Sequence, residues 1–246
     1  MKITVPFECY KGADGSSLSD TRCLQVIQVY EMLETLENSR INYLELQEEA
    51  DKRRLFGNTK TKSAIRTFFP LLKKLHFVDY DNTFIAKDCF TELGKQFVYT
   101  SRALYNITED TDHKEEIRNK LNSIRSKIIK QGLIQMNHDP DFSSHNIWIA
   151  IKMLLVLDKL HWNEFIYMLY SIDSDYSFDE TIQQIKERKD NIDTIEFVKE
   201  DGNPLPSTCY CYIRSLLEEA SLIESVGKST SRIIDKSDLF YTQLVL

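Results

Sequence analysis

Residues 52–75, KRRLFGNTKTKSAIRTFFPLLKKL, contain eight Lys or Arg residues and no Asp or Glu. The whole chain carries 31 basic and 38 acidic residues, so the remainder holds 23 basic against 38 acidic residues, a balance of −15. Ammonium and guanidinium groups bind phosphate oxygens strongly. A basic segment in an otherwise acidic protein therefore predicts an anionic partner, and nucleic acid is the commonest one.

The same segment has the apolar spacing of a helix. Its large apolar residues recur at steps of three and four, which places them on one helical face: Ile65, Phe68, Phe69, Leu72 and Leu75. Most of the basic residues fall on the opposite face: Lys60, Lys62, Arg66, Lys73 and Lys74. The pattern predicts a helix that is packed on one side and positive on the other.

The elements around this helix follow from capping and turn residues. Asp20 is a candidate N-cap for a helix over residues 21–36, and Asn42 is a candidate N-cap for a second helix before a Gly57–Asn58 turn. After the basic helix, residues 77–85 read as a hairpin that turns at Asp81 and Asn82. Thr91 is then a candidate N-cap for a helix over residues 92–102.

This order of elements, with a helix-turn-helix followed by a hairpin, is that of a winged helix. A similar order is predicted near the C-terminus, where LIESV and FYTQLVL would form the two strands of a second hairpin. The predicted fold is mainly α with small β-hairpin wings (α+β). Two winged-helix-like units, at 1–105 and 196–246, would be joined by a helical connecting segment at 106–195.

The connecting segment contains three predicted features. A helix with six basic residues begins near Lys114, and Gly132 would cap its end. The stretch HNIWIAIKMLLVLDKL is apolar enough for a central buried helix. Two further helices follow, and Asp179 is the candidate N-cap of the second.

Three stretches resemble the DNA-recognition part of type IIS restriction endonucleases and their nicking relatives, the FokI and AlwI kind. The first is FFPLLKKLHFVDYDNTFIAKDCFTELGKQF, with a Thr-x-x-Gly helix start at Thr91 and Gly94. The second is NIWIAIKMLLVLDKLHWNEFIYMLYSIDSDYSFDETIQQIKERKDN, which has an apolar helix, then Glu-Phe, then a helix that ends in Arg188. The third is the C-terminal strand pair that ends in FYTQLVL.

This resemblance implies winged-helix subdomains that contact double-stranded DNA asymmetrically and read a short non-palindromic site. Those enzymes carry a metal-dependent nuclease domain after the recognition part, and we expect none within these 246 residues. We therefore expect a recognition module or subunit, with a separate nuclease or methyltransferase as a possible partner.

The candidate DNA-binding residues follow from the winged-helix interpretation. The first turns of the recognition helix face base edges, while basic residues on the preceding helix suit backbone phosphates. In the first unit the candidates are Lys52, Arg53, Arg54, Asn58, Thr59, Lys60, Thr61, Lys62, Ser63 and Arg66. In the second unit they are Ser207, Thr208, Tyr210, Arg214, Lys228 and Arg232. The second set is less basic, so a protein-binding surface is an equal alternative there.

No catalytic or metal site is predicted. A nuclease-like string can be found in Pro140–Asp141 and 187–189, but the helical spacing there directs Glu187 and Lys189 about 200 degrees apart. The five His residues lack metal-ligand spacing, and Cys209 and Cys211 lack a second pair nearby. We expect no cofactor, no membrane segment and a cytoplasmic location with reduced thiols.

Two alternatives to the restriction-type module remain open. A transcriptional regulator with tandem winged helices would usually dimerise to bind two half-sites. The restriction-type interpretation instead predicts a monomer on an asymmetric site. A protein-interaction scaffold would show no salt-dependent affinity for DNA. The net charge of −7 favours this scaffold alternative.

Overall fold

The computed structural model describes residues 2–6, 17–57, 61–109, 111–138, 145–173, 177–187, 192–205 and 208–244. The described residues are mainly helical with small sheets, which confirms the predicted α+β class. The helices are α1 (Asp20–Leu36), α2 (Tyr43–Lys52), α3 (Thr61–Lys74), α4 (Glu92–Tyr105), α5 (Lys114–His138), α6 (His145–Leu157), α7 (Trp162–Asp173), α8 (Phe178–Glu187), α9 (Thr208–Glu219) and α10 (Leu239–Leu244). The strands are β1 (Lys2–Thr4), β2 (Arg40–Ile41), β3 (Phe84–Ile85), β4 (Lys159–His161), β5 (Glu196–Val198), β6 (Ile223–Ser225) and β7 (Thr230–Ile233).

The chain divides into two compact units, each built from two stretches of sequence. The first unit comprises Ser16–Phe142 and Leu239–Leu246, and the second comprises Met1–Gly15 and Ser143–Asp238. These boundaries differ from the predicted ones at 105 and 195. The predicted connecting segment is divided between the units, since α5 packs on α4 in the first unit and α6 to α8 belong to the second.

The apolar face of α3 is buried in the first unit, where α3 packs on α2 and the Tyr43 ring stacks on Phe69 at 6.0 Å. Phe68, Phe69 and Leu72 are fully buried, and the Phe77 ring stacks on Phe97 of α4 at 4.8 Å. Strand β3 pairs antiparallel with β2, and two further backbone bonds extend the pairing. These bonds run from the Ala86 and Lys87 N–H groups to the carbonyls of residues 39 and 37.

The hairpin predicted over residues 77–85 does not form. The Phe77 carbonyl accepts the Thr91 N–H at 3.1 Å, and Val78 forms an isolated bridge to Phe90. Because that carbonyl is engaged by the start of α4, it is not free to form a ladder with residues 84–85. Strand β3 therefore takes its partner from the segment after α1.

The second unit contains a three-stranded antiparallel sheet in the order β4-β7-β6 and a parallel pair of β1 with β5. Strand β6 lies where LIESV predicts one, but the returning strand is β7 and not FYTQLVL. The Val226 N–H bonds to the Thr230 carbonyl at 2.9 Å, which closes the hairpin locally. A short loop costs less entropy to close than a long one. Residues 239–244 instead form α10, which packs on α5 in the first unit.

Both units repeat one order of elements. In each, a helix is followed by a residue with positive φ and a short strand: Glu37 after α1 and Asp158 after α6. In each, a later helix ends in a Schellman motif with a left-handed residue, which is His76 after α3 and Ser221 after α9. The second copy therefore begins at α6, and α8 to β5 are inserted before α9.

Local signals explain most helix boundaries. Asn42 caps α2, as predicted, and also forms a capping box with Glu45. The N-cap of α1 is Ser19, not Asp20, and Ser177 rather than Asp179 forms the reciprocal bonds that begin α8. Helix α5 does not end at Gly132 but continues to residue 138. Among the described residues, no helix combines the length and apolar character needed to cross a bilayer.

Two glycines allow helices to approach the end of α3. A Cβ on Gly94 would lie 1.8 Å from the Phe77 carbonyl oxygen, and one on Gly132 would lie 2.8 Å from the Leu75 carbonyl oxygen. The Thr91 hydroxyl caps α4 at the Gly94 N–H and donates to the His76 carbonyl at 2.6 Å. Residues 75–77 are therefore in contact with the N-terminal end of α4 and with one face of α5.

We expect Gly94→Ala to lower the free energy of unfolding by about 3 kcal/mol or more, at the top of the range for overpacking, because a backbone carbonyl must move. Urea denaturation followed by circular dichroism measures the loss. Gly57→Ala is the control: its Cβ would meet no atom within 4 Å. It should cost only left-handed strain, about 1 kcal/mol. Equal losses in the two variants would contradict the close approach.

Candidate nucleic-acid interface

Helix α3 separates its buried and solvent-facing residues cleanly. Ile65, Phe68, Phe69, Leu71 and Leu72 are buried. The basic face of α3 consists of the polar and basic residues that reach solvent on its other side, with Pro70 also exposed among them: Lys62, Ser63, Arg66, Thr67, Lys73 and Lys74. At 100 degrees per residue they span about 140 degrees of arc. The predicted two-sided helix is thus present from residue 61 to 74.

The N-terminal half of this face presents the groups best suited to a polyanion. Arg66 is exposed, and no described residue forms an ion pair with it. Ser63 and Thr67 lie beside it and are also exposed. Lys62 is 43% exposed and lies 3.9 Å from Glu48 of α2, a long contact for an ion pair. Such a surface pair is weak and is screened by salt.

The C-terminal half of the face is engaged by its own chain. The Lys73 ammonium donates to the Tyr80 carbonyl at 2.6 Å and lies 4.7 Å from the centre of the Tyr80 ring. It is also 3.7 Å from the carboxylate of Asp81. Burial raises the pKa of Tyr80 to about 12, so its hydroxyl stays neutral beside the lysine. The part of α3 available to an anion is therefore residues 62–67.

The basic residues at the end of α2 differ in their availability. Arg53 is bound on both sides, with its Nε 2.6 Å from Glu49 and its Nη1 2.6 Å from the Thr35 hydroxyl. The hydrogen bond from Arg53 lowers the pKa of the Glu49 carboxyl group, which favours its charged form. Lys52 is 80% exposed and 3.6 Å from Glu49. Arg54 is exposed at the left-handed position that ends α2.

Several DNA-contact residues predicted in the first unit are either buried or lie outside the described residues. Thr61 is 1% exposed and faces the core, so it is not on the surface that α3 presents. Asn58, Thr59 and Lys60 lie outside the described residues. Thr67, which the sequence interpretation omitted, shares the exposed face with Arg66. Thr67 directly follows Arg66 in the sequence. Its position on the polar side of the predicted helix could have identified it.

The second unit uses its predicted contact residues for internal bonds. Tyr210 is 1% exposed and its hydroxyl bonds to that of the fully buried Ser231 at 3.0 Å, so it is not a DNA contact. Burial raises the pKa of Tyr210 to about 12. The Arg214 guanidinium donates to the Lys228 carbonyl at 2.7 Å. Arg232 is paired with Glu224 across the hairpin, with its Nε at 3.0 Å.

The two repeated helices therefore carry different charges. The Schellman motifs align Lys73 and Lys74 of α3 with Glu218 and Glu219 of α9. The Lys228 side chain is exposed at the hairpin turn. Ser207 lies outside the described residues, and the side chain of Thr208 is not described. The face of α9 lacks the excess of positive charge that α3 has.

We expect Tyr210→Phe to lower the free energy of unfolding by about 1–2 kcal/mol, because it leaves the buried Ser231 hydroxyl without this partner. Thermal unfolding measures the loss. Tyr212→Phe on the same helix is the control, since no described residue bonds to that partly exposed hydroxyl. A Tyr210→Phe protein as stable as the control would place Tyr210 outside the core.

The basic face of α3 presents ammonium, guanidinium and hydroxyl groups to solvent. No group of three or more His, Cys, Asp or Glu residues among them could hold a metal ion. Of the nuclease-like string, Glu187 is the last residue of α8, while Asp141 and Lys189 lie outside the described ranges. No family model, no curated protein and no solved structure matches this chain.

Proposed function

We propose that this chain binds double-stranded DNA through its first unit, with α3 lying in the major groove. The observation that carries the proposal is the exposure of Lys62, Ser63, Arg66 and Thr67 along one side of a helix whose other side is core. A helix of this kind fits the major groove with its first turns nearest the bases. Arg66 would donate to a guanine, and Ser63 and Thr67 would contact neighbouring base edges.

Backbone phosphates would be met by Lys52 and Arg54 at the end of α2. Both side chains are exposed, and they precede the turn into α3. In a helix-turn-helix the first helix crosses the DNA backbone, which suits phosphate contacts from this position. We accordingly interpret α1, β2, α2, α3 and β3 as a winged-helix-like arrangement, in which the loop at residues 79–83 takes the place of the wing hairpin.

The difference in charge between the units supports asymmetric recognition. One unit offers a basic helix face, and the corresponding helix of the other carries Glu218 and Glu219. A pair of unequal units in one chain suits a non-palindromic site, whereas identical half-sites require identical readers. We propose the recognition module or subunit of a restriction system, with a nuclease or methyltransferase on a separate chain.

The test compares Arg66→Ala with Arg53→Ala on two duplexes, one selected from a random-sequence library and one unselected. Arg66→Ala should weaken binding to the selected duplex about 10- to 100-fold, and binding to the other duplex much less, since a good base contact is worth about 1–3 kcal/mol. Fluorescence anisotropy at several salt concentrations measures both affinities. Arg53→Ala should change neither affinity, because its guanidinium is bound to Glu49 and Thr35.

Equal losses on the two duplexes would reduce Arg66 to a phosphate contact. Failure of the unaltered chain to select any duplex would overturn sequence-specific recognition. A salt-independent affinity would overturn DNA binding as a whole, because counterion release accompanies every phosphate contact.

A second prediction concerns Glu48, whose carboxylate lies 3.9 Å from Lys62. Glu48→Gln should strengthen binding to any duplex a few-fold at low salt, with the gain lost at high salt, because a negative charge leaves the interface. The matched control is Glu224→Gln, which removes an ion-paired carboxylate from the hairpin of the second unit. An equal gain from the control would show that the second unit also contacts DNA.

A further inference from the structure

A polar groove of about 480 Å³ lies in the first unit, away from the basic face of α3. It is formed where the start of α1 and the end of α4 meet α5. Arg118, Asn122 and Arg125 line it from one side of α5, at steps of four and three residues. Asp20 and Ser101 line it from α1 and α4.

Ser101 is the least expected residue in this groove. Its side chain is 3% exposed, and its hydroxyl has no hydrogen-bond partner within the described structure. A buried hydroxyl without a partner costs about 1–3 kcal/mol, and native proteins seldom keep one without a reason. A ligand that accepts the Ser101 hydroxyl hydrogen would remove this cost.

The charges of the groove favour an anion. Arg125 is largely buried, with 12% of its side chain exposed, and its Nη1 lies 3.4 Å from an Asp20 oxygen. The Asp20 side chain is 95% exposed, so it meets the guanidinium from the solvent side. Arg118 adds a second guanidinium, which is paired on its own helix with Glu115 at 3.6 Å. An oxyanion with two or three acceptor oxygens could accept hydrogen bonds from Arg118 and Arg125 together.

We propose that this groove is a binding site for a small organic oxyanion, a carboxylate or a phosphate monoester with a compact apolar body. The oxyanion would bind Arg125 in place of Asp20 and accept hydrogen bonds from Ser101 and Asn122. The apolar body would contact Leu104, Tyr105 and Ile107, which complete the lining. This site is separate from the DNA-binding proposal and does not depend on it.

Calorimetric titration of the full chain tests the site with three probes. Benzoate and phenyl phosphate carry the oxyanion on an aromatic body, and benzamide is the neutral control. We expect binding of at least one anion and none of benzamide. Comparing the two anions identifies the headgroup, and either result supports an oxyanion site.

Variants with opposite expected effects show where the probe binds. Arg125→Ala should weaken anion binding about tenfold or more, because a charge-assisted hydrogen bond is lost. Asp20→Asn should strengthen it several-fold, since the competing carboxylate loses its charge. Lys127→Ala, on an exposed position of α5 outside the groove, should leave it unchanged.

Ser101→Ala separates a binding role from a packing role. It should leave the ligand-free protein at least as stable to heat, because it removes a buried hydroxyl without a partner, and it should weaken anion binding several-fold. If Arg125→Ala unfolds the chain, Ser101→Ala and Asp20→Asn still decide the question. Weak ligands have dissociation constants on the order of 1 mM. If neither anion binds at concentrations up to about 10 mM, the proposal is overturned. Binding that none of these variants changes would overturn it equally.

Discussion

The first unit depends on the contact between the backbone after α3 and the helices that cross it. The Phe77 carbonyl accepts the Thr91 N–H, and the Thr91 hydroxyl donates to the carbonyl of His76. Gly94 and Gly132 leave room for this backbone because a side chain at either position would collide with it. Since α3 ends here, its orientation in the unit follows from these contacts. Its buried phenylalanines then leave only the basic face for solvent.

The same backbone geometry occurs in both units with different side chains. Helices α3 and α9 each end in a Schellman motif that leads into a buried segment. The lysines near the end of α3 are replaced by glutamates in α9. A scaffold of this kind can keep its core while its exposed face changes, because core packing constrains only the apolar side. Under the proposed function, the second unit would be a structural or protein-binding counterpart of the first.

Internal ion pairs decide which basic residues remain available to a partner. Arg53, Lys73, Arg214 and Arg232 are all held by acceptors of the same chain. Arg66 and Arg54 are exposed, as is the Lys228 side chain. A count of basic residues therefore overstates the positive surface, since each internal pair cancels a charge that the sequence displays. The same holds in the polar groove between α1, α4 and α5, where Arg118 is paired with Glu115 and Arg125 with Asp20.

The sequence by itself determined the features that depend on neighbouring residues. The apolar periodicity of α3, the capping box at Asn42 and the Thr91 cap of α4 all rest on spacings of three or four residues. Tertiary structure decided the pairing of β3 with β2, the helical form of residues 239–244 and the burial of Tyr210. It also assembled the groove from residues as distant as Asp20 and Arg125. These outcomes depend on which groups, distant in sequence, compete for one hydrogen-bonding partner or one apolar surface. The outcome of that competition cannot be predicted from the local sequence pattern.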